Sequence, residues 1–208
     1  MRDVFTADTA EWLKSQERFD AVVTSLPDAE ETNMTSEAWE KWFVEMVAEI
    51  IKRTESYAVF YQTDRKIAGR CIDKSYLVHE GARIAGANMM WHKIMLRRDV
   101  GKVDLFRPTY THLLCFSRTG TSGTATPDVL HAGEMIYKNA MGLGACRFAV
   151  EFIKTNSDAT TITDPFCGRG SVLAVANSMG LDAVGVEILP EYAAASRELE
   201  LSLPTSRQ

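Results

Sequence analysis

Several features of membrane, secreted and metal-binding proteins are missing from this 208-residue sequence. No apolar run approaches the roughly 20 residues that span a bilayer, and the first residues read as a strand instead of a signal peptide. The four cysteines form no Cys-x-x-Cys pair, and the four histidines do not cluster with them. These absences argue against a disulfide framework and a zinc site. We expect a soluble, intracellular protein with reduced thiols and no metal.

Acidic residues outnumber basic ones, but the excess is uneven. The net charge is −5, which argues against strong, nonspecific binding of nucleic acid by the chain as a whole. Residues 62–107 nevertheless carry ten Lys or Arg against five Asp or Glu, a net charge of +5. This basic segment is either a phosphate-facing surface or a solvated face of mixed charge.

Strand-like and helix-like segments alternate along the chain. Ala21–Thr24 is continuously apolar, as buried parallel strands usually are. The stripe that follows has the spacing of a helix packed on a sheet and consists of Trp39, Trp42, Phe43, Met46, Val47, Ile50 and Ile51. We expect a second long helix over residues 133–154 and a flexible segment at 118–127, which is rich in Gly, Ser and Thr. This alternation predicts a single α/β domain with a mostly parallel sheet and helices on both faces.

The strongest local signal is the segment T-I-T-D-P-F-C-G-R-G-S at residues 161–171. It reads as an apolar strand that ends in Asp164 and continues through a glycine loop into a helix. The next strand ends in Glu187, whose carboxylate is suited to a ribose diol. The loop lacks the third glycine of a dinucleotide fingerprint and the lysine of a P-loop. A cationic nucleoside without phosphates therefore suits this arrangement better than NAD.

The segments D-P-F-C-G-R-G-S and G-V-E-I resemble the cofactor motifs of the DNA methyltransferases that modify adenine N6 or cytosine N4. The resemblance follows the circularly permuted group of that family and covers nearly the whole chain. It implies S-adenosylmethionine as the cofactor and a Rossmann-like, seven-stranded fold. It also implies a catalytic-motif half at residues 1–117, a flexible linker at 118–132 and a cofactor-motif half at 133–208.

The resemblance also assigns roles to individual cofactor-binding residues. The residues expected to line the methionine end of the cofactor are Asp164, Phe166, Gly168 and Gly170. Glu187 is expected to bind the ribose, and Asp8, after the first strand, the adenine. Lys138, at the expected opening of the helix before the glycine loop, takes the place of the family's Lys-Pro motif, without the proline.

The family's catalytic loop, Ser/Asp/Asn-Pro-Pro-aromatic, corresponds to Ser25-Leu26-Pro27-Asp28. An exocyclic amino group is a poor nucleophile because its lone pair is delocalised into the base. A polar side chain and a rigid backbone carbonyl accept its hydrogens, and the aromatic ring stacks on the flipped-out base. The sequence keeps Ser25 and Pro27, but Leu26 replaces the first proline and Asp28 replaces the aromatic residue. Asp28 could instead accept a hydrogen bond from a substrate amine or act as a base.

The resemblance predicts methyl transfer to an amino nitrogen of a base in DNA or in structured RNA. No segment is long enough for a separate target-recognition domain, so a partner subunit is expected to supply recognition. The two departures in the catalytic loop also fit a catalytically silent, cofactor-binding partner of a methyltransferase. A third alternative is a methyltransferase for a non-nucleic substrate.

Overall fold

The computed structural model describes residues 1–67, 69–105 and 107–201, and these form ten strands and seven helices. The strands are β1 (Arg2–Thr6), β2 (Ala21–Thr24), β3 (Ala58–Gln62), β4 (Arg65–Ile67), β5 (Arg70–Ile72), β6 (Asn88–Leu96), β7 (Tyr110–Ser117), β8 (Val129–His131), β9 (Thr161–Asp164) and β10 (Asp182–Glu187). The helices are α1 (Thr9–Lys14), α2 (Ala29–Thr32), α3 (Ser36–Arg53), α4 (Lys74–Ile84), α5 (Leu143–Asn156), α6 (Ser171–Ser178) and α7 (Pro190–Glu198).

The main sheet has the strand order β1-β10-β9-β2-β3-β7-β6-β8. The first five strands in this order are parallel, β7 is antiparallel to both β3 and β6, and β8 runs parallel to β6. The predicted α/β class with a mostly parallel sheet is therefore confirmed. The expected strand number is wrong, because the short edge strand β8 makes the sheet eight-stranded.

Helices cover both faces of the sheet and create two apolar cores. Val22 lies in the core that includes residues of α1, α3 and α4, whereas its neighbour Val23 lies in the core that includes residues of α5 and α6. Successive side chains of a strand point to opposite faces, so a strand with both faces covered is apolar at every position. This explains why β2 is buried throughout.

The structure differs from the sequence-based expectation in the segment before the glycine loop. Residues 133–142 contain no helix, and α5 begins only at Leu143. Asn139 has a φ of 66°, which interrupts any helix there. Gly142 approaches the carbonyl of Ala132 so closely that an added Cβ would lie 2.2 Å from its oxygen. Lys138 consequently lies in a loop and does not open a helix.

The segment expected to be a linker, residues 118–132, contributes a strand to the sheet. The N–H group of Ile94 donates to the carbonyl of Asp128 (2.9 Å), and that of Ala132 donates to Leu96 (2.8 Å). The buried ammonium group of Lys93 also lies 3.1 Å from the Asp128 carboxylate. These bonds hold β8 at the sheet edge, in a stretch whose composition is typical of a loop.

Because β1, β10, β9, β2 and β3 are parallel, their carboxyl ends lie at one edge of the sheet. Ligands of open α/β sheets bind at this edge. Among the described helices, none combines the length and the apolar character needed to cross a membrane.

Candidate functional site

A cleft of about 720 Å³ lies at the carboxyl ends of the five parallel strands. It brings together nine of the ten residues predicted for the site: Asp8, Ser25, Pro27, Asp28, Lys138, Asp164, Phe166, Gly168 and Glu187. These residues come from both ends of the sequence, and the sheet order places the β9 loop beside the β2 loop. The fold therefore joins the two predicted halves of the site in one cavity.

Asp164 is the last residue of β9 and is only 3% exposed. Its Oδ1 atom accepts hydrogen bonds from Thr24 Oγ1 (2.7 Å) and from the N–H group of Phe166 (3.1 Å). No cation pairs with this carboxyl among the described residues. Burial, followed by the nearby charge of Glu187, raises the pKa of Asp164 to about 7. The site thus contains a buried acid whose charge is uncompensated, and a cationic ligand group would satisfy it.

The two glycines of the loop have different surroundings. Gly168 lines the cleft at a φ of 52°, and an added Cβ would meet only the Tyr137 hydroxyl, at 3.6 Å. Gly170 does not line the cleft. It precedes α6 at a φ of 87°, and its added Cβ would lie 2.9 Å from Cα of Ser196 in α7. Gly170 therefore packs against α7 outside the cleft lining, and its expected contact with the cofactor stays a prediction.

Two acidic residues lie at the β10 side of the cleft. Glu187 ends β10 and is half-buried, and its Oε1 atom accepts a hydrogen bond from the N–H group of Leu189 (2.8 Å). Asp8 is the N-cap of α1 and accepts a hydrogen bond from the N–H group of Glu11 (3.0 Å). Asp8 thus has a structural role as a cap as well as a place in the cleft lining.

The loop after β2 is held in place by the core behind it. Leu26 is 2% exposed and packs in the same apolar core as Trp39 and Phe43. The indole N–H group of Trp39 donates a hydrogen bond to the carbonyl of Pro27 (3.1 Å). Leu26 therefore anchors the loop through burial, and the Pro27 carbonyl is already engaged within the protein.

Asp28, at the end of this loop, lies between two basic side chains. Its carboxylate forms an ion pair with Lys74, whose side chain is 4% exposed, and lies 3.2 Å from Nε of Arg65. Burial lowers the pKa of Lys74, and the charge of Asp28 acts against that shift. The N–H group of Asp28 also donates to Glu31 Oε2 (2.8 Å), which fixes the start of α2. Asp28 is therefore paired within the protein.

Aromatic rings line the cleft near the predicted loops. Trp42 was expected in the core with Trp39, but it is half-buried, lines the cleft and contacts Phe166 edge-to-face, with ring centroids 5.9 Å apart. Arg169 stacks its guanidinium group over Tyr192, 4.5 Å from the ring centroid. A helical stripe does not distinguish a core residue from one at the edge of a cleft, which is why Trp42 was assigned to the core.

The sequence left open whether the basic segment, residues 62–107, is a phosphate-facing surface or a solvated face of mixed charge, and its cations differ in their positions. Four of its cations line the cleft: Arg65, Lys74, Arg97 and Arg107. Lys93, in contrast, is 3% exposed and forms an internal ion pair with Asp128. Only part of the segment therefore faces the candidate site.

A histidine network lies beside this part of the sheet. His92 Nε2 lies 2.9 Å from His112 Nδ1, and His112 Nε2 lies 3.1 Å from Asp64 Oδ2. Burial and the neighbouring histidines lower the pKa of His92. The donor atoms of Asp64, Asp73 and His112 lie within 4.8 Å of one another, as those of a metal site could. Backbone N–H groups in the first turn of α4 already donate hydrogen bonds to the carboxylates of Asp64 and Asp73.

Gln62 is a cleft residue that the sequence analysis did not predict for the site. Gln62, the last residue of β3, is 1% exposed, yet neither its Oε1 atom nor its Nε2 atom has a hydrogen-bond partner among the residues that the structure describes. It lines the same cleft as the predicted loops. Its place at the carboxyl end of a parallel strand was the available signal, but a glutamine there also suits an ordinary strand end.

Solved structures with a similar fold include DNA methyltransferases, although no protein family and no curated protein matches the chain by sequence. TTHA0409 of Thermus thermophilus, a proposed DNA modification methylase, is 18% identical with a TM-score of 0.74, over 95% of this chain and 94% of that one. The PvuII cytosine-N4-specific DNA methyltransferase is 16% identical with a TM-score of 0.75, over 97% and 88%. M1.HpyAVI in complex with SAM is 13% identical with a TM-score of 0.64, over 97% and 100%. The chain therefore has the Rossmann-like α/β fold of these methyltransferases.

Proposed function

We propose that this protein is an S-adenosylmethionine-dependent methyltransferase that acts on an exocyclic amino nitrogen of a nucleic-acid base. The observation that carries the proposal is the shared cleft. The buried acid and glycine loop after β9, and Glu187 at the end of β10, lie beside the Ser25–Asp28 loop after β2. The permuted order of the two motifs in the sequence is part of the proposal.

The residues of the cleft fit the proposed cofactor. The uncompensated carboxyl of Asp164 suits the α-ammonium group, because a positive charge there would stabilise the ionised acid. The open left-handed turn at Gly168 lets a ligand approach the backbone. Glu187 offers a carboxylate to the ribose diol at the end of the neighbouring strand. When bound, S-adenosylmethionine supplies an electrophilic methyl group carried on sulfur. A complex of TTHA0409 with S-adenosyl-L-methionine has the same fold as this chain, with a TM-score of 0.71.

The chain's own residues would position the acceptor amine. The hydroxyl of Ser25, directly after β2, accepts one amino hydrogen and orients the lone pair toward the methyl group. Trp39 fixes the loop by its hydrogen bond to the Pro27 carbonyl. Trp42 and Phe166 present aromatic surface to the cleft in place of the ring that Asp28 replaces.

DNA is the substrate that the structural neighbours suggest, since TTHA0409 is described as a DNA modification methylase and the PvuII enzyme as a cytosine-N4-specific DNA methyltransferase. We extend that substrate to this chain as part of the proposal, with structured RNA as the alternative nucleic acid. A partner subunit that selects the target sequence completes the proposal.

The surroundings of Asp28 favour a second candidate function, that of a cofactor-binding partner without its own activity. The Asp28 carboxylate is paired with Lys74 and Arg65, and the Pro27 carbonyl is taken by Trp39. Both groups thus have partners within the protein that compete with the hydrogens of an amine. This candidate predicts binding of S-adenosylmethionine without methyl transfer.

Transfer of labelled methyl from S-adenosylmethionine into separated DNA, tRNA, rRNA and protein tests the two candidates. We expect incorporation into one nucleic-acid fraction, with a large loss in Ser25→Ala and no change in cofactor affinity. Ser15→Ala, outside the cleft lining, is the matched control. Cofactor binding without incorporation anywhere would favour the silent partner, and incorporation into protein alone would contradict a nucleic-acid substrate.

A further inference from the structure

The amide of Gln62 is buried at the cleft without a hydrogen-bond partner in the described part of the chain. Both of its polar atoms lack partners although the residue is only 1% exposed. Buried polar groups in folded proteins are nearly always hydrogen-bonded, so an orphaned donor and an orphaned acceptor on one side chain call for an explanation. Because this amide lines the cleft, a ligand in the cleft is the natural source of both missing bonds.

The neighbouring structure holds Gln62 firmly. Its backbone pairs with His112 of β7 in the main sheet. The next residue, Thr63, donates its hydroxyl hydrogen to Thr111 Oγ1 (2.8 Å). The amide is therefore attached to the end of a paired strand. A group that recognises a ligand should be held on such a rigid element of the fold.

The register of the sheet places this amide level with the proposed catalytic loop. Thr24 of β2 pairs with Phe60 of β3, so Leu26 and Gln62 each lie two residues beyond the same paired position. On the other side of β2 lies β9, which ends in Asp164. The proposed cofactor acid, the catalytic loop and Gln62 thus follow one another on three adjacent strands, spaced by roughly 5 Å each. Gln62 is on the side of the catalytic loop away from Asp164.

We propose that Gln62 recognises the target base through a pair of hydrogen bonds, an inference that rests on the proposed methyltransferase function. The amide oxygen accepts one hydrogen of the exocyclic amino group, and the amide N–H group donates to the adjacent ring nitrogen. Adenine (N6 and N1) and cytosine (N4 and N3) both present this edge. The second amino hydrogen is left for Ser25. Gln62 is therefore the specificity-determining residue that selects an amino group beside a ring nitrogen acceptor on the Watson–Crick edge, where guanine instead presents the N1–H donor.

Four thymine oligonucleotides show which base is methylated. Three contain a single adenine, cytosine or guanine, and the fourth contains only thymine. Single-turnover transfer of labelled methyl is measured with the wild type, Gln62→Leu, Gln62→Glu and the control Gln16→Leu, which lies outside the cleft lining. We expect the wild type to methylate the adenine or the cytosine strand. Gln62→Leu should lower kcat/KM by about 100-fold or more, because both partners on the base lose their hydrogen bonds. Its affinity for S-adenosylmethionine, and the behaviour of Gln16→Leu, should match the wild type.

Gln62→Glu provides a signature that a merely structural role would not produce. An ionised carboxylate only accepts hydrogen bonds, whereas a protonated carboxyl group offers a donor and an acceptor like the amide. The ratio of its kcat/KM to that of the wild type should therefore rise as pH falls. Gln62→Leu turning over at the wild-type rate, or transfer confined to the guanine strand, would overturn the proposal.

Nucleotide binding separates the failure of this inference from the failure of the proposed function. If the wild type methylates no strand, methyl transfer to single-stranded DNA by the chain alone fails, and calorimetric titration with dAMP, dCMP and dTMP then decides the role of Gln62. A preference for dAMP or dCMP over dTMP that Gln62→Leu abolishes would support the base-recognition site. Equal affinity of the wild type for all three nucleotides would overturn it.

Discussion

The carboxyl group of Asp164 links the candidate site to the stability of the fold. Burial raises its pKa from 3.8 to about 7, whereas in the unfolded chain the group returns to its ordinary pKa. The folded protein therefore keeps a proton that the unfolded chain releases, and the free energy of unfolding falls as pH rises from about 4 to about 7. Asp164→Asn removes this cost. We expect it to be more stabilising at pH 8 than at pH 4, by up to about 4 kcal/mol.

Urea unfolding of the wild type and of Asp164→Asn at the two pH values measures this difference. Asparagine keeps an oxygen that can accept the hydrogen bond from Thr24, so the local packing is preserved. Asp3→Asn, at an exposed position of β1, is the control and should show no comparable dependence on pH. An effect of Asp164→Asn that is the same at both pH values would contradict the buried, protonated acid.

Single residues also show how far the sequence could predict the site. Asp164 and Gly168 were found because the acid, the glycine loop and the downstream Glu187 occur at a recognisable spacing. Contacts between distant segments gave no such signal. The pairing of Asp28 with Lys74 joins residues that are 46 positions apart, and the unpaired state of Gln62 depends on everything packed around it.

The contact between α6 and α7 gives a prediction at the scale of elements. Gly170 and Gly180 both have left-handed backbones, at φ values of 87° and 81°, but only Gly170 has the backbone of α7 within 3.0 Å of an added Cβ. The left-handed conformation costs about 1–2 kcal/mol for alanine at either position. At Gly170 the clash with Ser196 adds about 1–3 kcal/mol. Gly170→Ala should therefore destabilise the protein more than Gly180→Ala does.

Thermal or urea unfolding gives the free energy of unfolding of the two alanine variants. The difference between them measures the contact with α7, because the cost of the left-handed backbone is nearly the same in both. Equal destabilisation would show that α7 moves away without cost. A larger effect at Gly170 would identify this glycine as a packing position of the fold, distinct from the open turn at Gly168.

Helices and strands could be predicted where the apolar periodicity of the sequence was strong. They could not be predicted where contacts between backbone groups determine the conformation. The stripe of α3 and the apolar run of β2 follow directly from side-chain burial. The loop at residues 133–142 and the edge strand β8 do not, because close backbone approach at Gly142 and hydrogen bonds to β6 determine them. Such contacts leave little trace in a pattern of apolar and polar residues.

At the scale of the whole molecule, the charge distribution predicts how nucleic acid binds. The net charge of −5 opposes attraction at long range. Of the six cations in the cleft lining, Lys74 and Arg65 are neutralised by Asp28 and Glu30. Of the remaining four, Arg97 and Arg107 are half-buried in the loop between β6 and β7, Arg169 stacks over Tyr192, and Lys138 is exposed. Binding should therefore depend on few phosphate contacts and respond only weakly to salt.

The affinity for single-stranded DNA, measured by fluorescence anisotropy over a range of salt concentrations, checks this expectation. Each phosphate contact contributes a slope of about −0.7 to the plot of log K against log salt concentration. Arg97→Gln and Arg107→Gln should each weaken binding and make the slope shallower by about that amount. Arg83→Gln removes the same charge from an exposed position of α4 outside the cleft lining and should leave the slope unchanged. If all three variants reduced the slope equally, overall charge would govern binding, and Arg97 and Arg107 would not be phosphate contacts.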